Sequence, residues 1–135
     1  MRLKLRAQTG ILFTAVLLSA CGSVSVASPA DEAPEGSPIR KVNVVARTYE
    51  FEPEEIQAKK GELVVLTLVS EDVTHGFKMK VQDREEEGID INVDLAPGQP
   101  VEVTFYAREA GVIPFHCSHL CGWGHFFMDG QIVVE

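Results

Sequence analysis

The sequence predicts an all-β fold, an antiparallel Greek-key sandwich. Three observations carry that prediction. Short runs of β-branched and aromatic residues repeat with a period of two, turn residues punctuate them, and no helical period is sustained after residue 20.

The first strand is expected where Val42, Val44 and Ala46 alternate with Asn43, Val45 and Arg47. Leu63 to Val69 is an unbroken β-rich run, which implies cover on both faces. Ile89, Ile91, Val93 and Leu95 alternate with Asp90, Asn92 and Asp94, and Val101, Val103 and Phe105 alternate with Glu102, Thr104 and Tyr106. Val112 to Phe115 and Gln131 to Val134 complete a set of seven or eight short strands. Lys60-Gly61, Glu87-Gly88, Pro97-Gly98, Ala110-Gly111 and Asp129-Gly130 supply the turns between them.

The 135 residues divide into three parts. Residues 1–20 read as an export signal, with Arg2, Lys4 and Arg6 ahead of an apolar run from Ile11 to Leu18 that is too short to span a bilayer. The run ends in Leu18-Ser19-Ala20-Cys21, which resembles the bacterial lipobox, so Cys21 is the expected lipidation site. Cleavage after Ala27, within Ser25-Val26-Ala27, is the alternative, and either route exports the protein. Residues 21–39 are small, polar, acidic and proline-bearing and read as a flexible linker. No second apolar stretch of spanning length follows. Residues 40–135 form the folded domain, long enough for one core.

The net charge of −8 becomes −11 once the three basic residues ahead of Cys21 are removed. Nucleic acid is therefore excluded as a partner, because phosphate binding needs a basic surface. A basic protein partner is compatible with this charge, as is plain solubility. Glu85 to Glu87 reads as a solvated acidic loop, with a docking patch for a basic cytochrome as the sharper alternative.

The segment Cys117-Ser-His-Leu-Cys121-Gly-Trp-Gly-His125-Phe-Phe-Met128 carries the chemistry. Two thiols, the His125 imidazole and a thioether fall within twelve residues. Soft sulfur combined with imidazole selects copper among the common metals, and a thioether is foreign to the usual zinc set. A single loop does not easily enclose a metal, which makes His75, in Asp72-Val-Thr-His75-Gly-Phe77, the candidate distant ligand. A disulfide between Cys117 and Cys121 is the competing reading in an oxidising compartment.

The pattern Cys-x3-Cys-x3-His-x2-Met, with a distant His in an Asp-Val-x-His-x-Phe setting, resembles the CuA-type cupredoxin domain of cytochrome c oxidase subunit II and nitrous oxide reductase. Phe51 to Ile56 followed by Gly61 is similar to the early strands of cupredoxins, so the resemblance covers about residues 40–135. It implies a cupredoxin-like sandwich holding two copper ions bridged by Cys117 and Cys121. His75 would cap one copper and His125 the other. Met128 would be a weak ligand of one ion and the backbone carbonyl of His119 of the other. The chain departs from the family where subunit II has a glutamate at the position of His119, and in having Gln99 rather than arginine after Pro97-Gly98. Of the aromatic cluster through which cytochrome c delivers electrons, only Tyr49 and Phe51 remain.

Around these ligands, His116 reads as structural or as support for a ligand, and the His119 side chain as exposed. Trp123 is divided between packing over the site and an electron-entry surface, and Phe126 and Phe127 are expected to shield the metal or fill core. The resulting expectation is an electron-transfer protein, lipid-anchored on the outer face of a bacterial membrane. It would pass single electrons between a c-type cytochrome and a terminal oxidase or reductase, with no bond chemistry of its own. A copper-handling protein that loads another site is the alternative. A mononuclear blue-copper site would leave one thiolate unused.

Overall fold

β-branched and aromatic side chains pack well on a pleated surface, and their alternation here leaves each strand one face to bury. In the structure, a computed structural model that describes residues 24–27, 33–81 and 89–135, ten strands satisfy this by forming two facing sheets. They are β1 (Val24–Ala27), β2 (Ile39–Arg47), β3 (Glu50–Glu52), β4 (Glu55–Ala58), β5 (Leu63–Ser70), β6 (His75–Val81), β7 (Ile89–Leu95), β8 (Val101–Tyr106), β9 (Gly111–His116) and β10 (Asp129–Val134). One sheet has the order β1-β8-β5-β2-β3 and the other β4-β10-β9-β6-β7.

The expected sandwich is present, but its pairing is mixed rather than antiparallel throughout. β2 pairs with β5, β4 with β10, and β1 with β8 in parallel. Parallel neighbours cannot be joined by a tight hairpin. Here the chain leaves one sheet for the other between the partners, as at Pro53-Glu54, where it passes from β3 to β4.

The period-two pattern lands where the sequence places it. Val44 and Ala46, Ile91 and Leu95, and Val101, Val103 and Phe105 are buried. In β5, Val64, Leu66 and Leu68 are fully buried and the alternate residues half-buried, so the cover on both faces is unequal. At the centre Phe51, Phe77 and Phe115 pack ring to ring, with centroids 5.0 to 5.9 Å apart. Strand β6 was not foreseen. Its first three residues, His75, Gly76 and Phe77, are all buried, which hides the alternation that Phe77, Met79 and Val81 then follow.

Within the stretch expected as linker, Val24–Ala27 runs as a strand beside β8. Residues 1–20, Cys21 and Glu85 to Glu87 lie outside the described residues. Among the described residues no helix is long and apolar enough to cross a membrane. The ends of β5 and β9 and the starts of β6 and β10 meet at one end of the sandwich. The loops that carry His75 and residues 117–128 therefore face each other there.

Candidate metal centre

His75 opens β6 opposite Leu95 and is fully buried. Its Nε2 lies 2.8 Å from Asp72 Oδ1. A carboxylate can only accept there, so Nε2 carries the proton and Nδ1 presents its lone pair to the loop. Asp72 is itself fixed, accepting from the Thr48 N–H and the Val73 N–H, each at 2.7 Å, and from the Thr48 hydroxyl. Burial opposes ionisation of this carboxyl. The Thr48 hydroxyl, His75 and the two backbone donors outweigh it and hold Asp72 well below the usual carboxylate range.

The second loop is closed by its own ends. The Cys117 N–H donates to the Met128 carbonyl at 2.9 Å, continuing the pairing of β9 with β10. That bond turns the Cys117 and Met128 side chains into the sandwich, where both are buried. Gly76 lets β6 come close. Its N–H donates to Cys117 Sγ at 3.4 Å, and a β-carbon there would lie 2.6 Å from the backbone nitrogen of His119.

The donor atoms form one connected cluster. His75 Nδ1 is 3.9 Å from Cys117 Sγ, Cys117 Sγ is 3.7 Å from Cys121 Sγ, and Cys121 Sγ is 3.9 Å from His125 Nδ1. The His119 carbonyl oxygen lies 3.1 Å from Cys117 Sγ, and Met128 Sδ lies 3.9 Å from Cys121 Sγ. A disulfide needs its sulfurs about 2.05 Å apart, so the two cysteines are free thiols. Metal–sulfur bonds of about 2.3 Å and metal–nitrogen bonds of about 2.0 Å can be made across each gap. His75 Nδ1 and the two sulfurs lie close enough together to ligate a single ion. The donor set of thiols, imidazoles, thioether and carbonyl fits a soft, copper-type metal. In the metal-free protein, burial first and then the neighbouring Cys117 push the Cys121 thiol up to about 11. Loading a metal must therefore displace a proton from it.

All six sequence-derived residues, His75, Cys117, His119, Cys121, His125 and Met128, thus meet at one end of the fold, His119 through its backbone. One expectation is corrected. Phe126 and Phe127 neither shield the cluster nor fill core; they are 81% and 82% exposed. The reason is the short 3-10 turn His125–Phe127, which directs His125 inward and leaves its two successors on the outside. His116 is exposed at the end of β9 and takes no place among the donors. Trp123 is 96% exposed, so it lies at the surface and does not pack over the site. The His119 side chain is exposed as expected, with Nδ1 3.4 Å from Asp94.

Three supporting residues escaped the sequence reading. Thr48 and Asp72 fix the His75 ring. Tyr49, next to Thr48, packs under the outer part of the loop, where a β-carbon on Gly122 would lie 2.5 Å from its hydroxyl and one on Gly124 would overlap its ring. Asp72, three residues before His75, was visible as a candidate partner. The contacts that Thr48 and Tyr49 make with segments more than twenty residues away in the chain had no signal.

A family model described as a cupredoxin-like domain matches residues 11–134. Over 94 residues the chain is 34% identical to cytochrome c oxidase subunit 2 of Thermus thermophilus, covering 70% of this chain and 64% of that one. Over 98 residues it is 32% identical to the nitrous-oxide reductase of Ralstonia nicotianae, covering 70% of this chain and 14% of the reductase. The chain therefore spans somewhat under two thirds of the first relative and a small part of the second. Among solved structures, a heme-copper terminal oxidase dimer aligns with a TM-score of 0.61 at 28% identity, covering 74% of this chain and 66% of that one. The blue copper protein auracyanin A of Chloroflexus aurantiacus aligns with a TM-score of 0.58 at 16% identity, over 72% of this chain and 99% of that one, which speaks for the fold alone.

Proposed function

The chain belongs to the cupredoxin-like family, and from that premise we propose that it is a copper-binding electron-transfer protein with a binuclear, CuA-type centre. The observation that carries the proposal is the donor cluster, in which two free thiols 3.7 Å apart each have an imidazole nitrogen at 3.9 Å, His75 beside Cys117 and His125 beside Cys121. A copper pair shared by two thiolates supplies one reversible redox electron spread over both metals.

The rest of the work belongs to the chain. Cys117 and Cys121 would hold the copper through their thiolates, His75 and His125 would add their imidazole nitrogens, and Met128 and the His119 carbonyl would serve as weaker donors. Asp72 holds the His75 ring so that Nδ1 faces the sulfurs. Gly76 N–H, aimed at Cys117 Sγ, stabilises negative charge on that sulfur. Burial of His75, Cys117 and Met128 in a stiff sandwich keeps water out and limits movement on reduction.

Anchorage through a lipid on Cys21 would hold this module on the outer, periplasmic or extracellular, face of a bacterial membrane. There it would exchange electrons with a redox protein such as a c-type cytochrome and a terminal oxidase or reductase. The test is reconstitution with copper, a metal count, and challenge with a Cu(I) chelator. The proposal expects two ions per chain, retained against the chelator, and rapid reduction by a c-type cytochrome. Ready loss of copper to the chelator would favour the copper-handling role, to which the exposed imidazoles of His116 and His119 beside Cys117 are suited.

A further inference from the structure

The loop over the metal centre exposes apolar surface that neither the core nor the donor cluster uses. Leu120, Trp123, Phe126 and Phe127 are 72%, 96%, 81% and 82% exposed, the four most exposed large apolar side chains among the described residues. They fall within eight positions of one loop, and Val73, on the facing loop, adds to the same end. Apolar side chains clustered in this way mark a surface that is covered in use.

The course of the chain says what covers it. Strand β8 begins at the metal end. Val101 pairs with Leu68 near the end of β5, and Gly98 N–H donates to the carbonyl of Ser70, whose hydroxyl donates to the carbonyl of Val73. Strand β1 runs parallel to β8 with Val24 beside Val101, so the chain enters the domain at the metal end. Cys21 precedes Val24 by three residues, a separation that cannot exceed about 11 Å along the chain. An anchor on Cys21 therefore joins the domain on the side that carries the aromatic loop.

Charge selects the kind of surface. Residues 117–128 contain no Lys or Arg, and carboxylates at Asp94 and Asp129 border them. A chain with net charge −8 gains nothing from anionic lipid. Tryptophan and phenylalanine are, in contrast, suited to the headgroup region of a neutral bilayer. The acyl chains of a lipidated Cys21 would hold the domain at the surface, and tethering makes the contact of the loop with the bilayer intramolecular, so a modest apolar patch suffices.

We propose that Leu120, Trp123, Phe126 and Phe127 seat the metal end of the domain on a neutral membrane surface, so that the copper-binding end faces the bilayer. The inference rests on the anchored reading of Cys21. It implies that electrons pass through this end to a partner lying in or on the membrane.

Trp123 is the chain's one tryptophan, so its fluorescence reads the contact directly. The lipidated protein is reconstituted on phosphatidylcholine vesicles, and sedimentation reads the anchor separately from the loop. The expected result is a blue shift of Trp123 emission, loss of quenching by aqueous iodide and gain of quenching by headgroup-level nitroxide lipid. The Leu120→Ser/Phe127→Ser variant should sediment equally, keep its copper spectrum and recover iodide quenching. Protein that sediments with Trp123 still open to iodide overturns the inference and leaves the anchor standing. Protein that fails to sediment overturns both. Shielding that appears only when a terminal oxidase is added overturns the membrane surface in favour of a protein partner.

Discussion

The two halves of the donor cluster are built by different means. The inner half, His75, Cys117 and Met128, is buried and belongs to strand ends, locked by Asp72, by Gly76 and by the bond from Cys117 to Met128. The outer half, Cys121 and His125, is partly open and sits on a loop without regular pairing, held by a 3-10 turn and by the Tyr49 ring beneath Gly122 and Gly124. One half is as rigid as the core. The other is positioned by a few contacts that point substitutions can remove, and it carries the exposed aromatics.

The largest effect is expected where the halves join. Cys117→Ser and Cys121→Ser should each abolish the spectrum of a shared copper pair, because each would remove one of the two proposed bridges. An unchanged spectrum in either variant would contradict the bridging role. The histidines should then separate the halves. His75→Gly leaves a buried cavity and takes the imidazole partner from the Asp72 carboxylate, which should cost the metal-free protein about 2–4 kcal/mol in denaturant unfolding. His125→Gly, partly exposed, should cost less than about 1 kcal/mol plus the cost of glycine itself. Added imidazole should restore copper binding to the His125→Gly protein and not to the His75→Gly protein. Equal rescue of both would erase the distinction between the halves.

Gly124→Ala should act more gently. Its methyl group would overlap the Tyr49 ring, and displacement of the loop should cost about 1–3 kcal/mol and speed copper release. Tyr49→Ala should relieve most of that cost, so the double variant should lose less than the sum of the single ones. The smallest effect lies at the far end of the sandwich. There the Arg40 guanidinium, bonded at 2.6 and 3.1 Å, holds Glu62 below its ordinary value of 4.5, with help from the Lys59 N–H. As pH falls, the unfolded chain takes up this proton before the folded one. The contribution is therefore complete above the ordinary value and is lost as pH drops through the lower folded value. The pair is half-buried and still reached by solvent, so the effect is small. Wild type should exceed Glu62→Gln in urea midpoint at neutral pH and lose that lead in acid, by the same amount with and without copper.

How much of this the sequence disclosed follows the same division. Val44, Ala46, Ile91, Val103 and Phe105 announced buried faces because each lies in an uninterrupted alternation. The candidate donors stood out because their chemistry is rare and their spacing short. His75, Cys117 and Met128 needed only the facing of two loops to meet. What stayed hidden depends on contacts between distant segments. Thr48 reaches Asp72, and Tyr49 reaches Gly122 and Gly124, through the packing of the turn between β2 and β3 against the metal end. The outward course of Phe126 and Phe127 was hidden too, because it depends on a single 3-10 turn that two adjacent aromatics do not signal. The parallel pairings of β2 with β5 and of β4 with β10 follow from which sheet each segment joins, and alternation alone is silent on that.

The most direct test of the shared-bridge claim is electron paramagnetic resonance on the copper-reconstituted protein, with the metal counted in the same sample. Two coppers per chain and the hyperfine multiplet of one electron spread equally over two copper nuclei is the predicted result. One copper per chain with the simpler pattern of a single nucleus would contradict it.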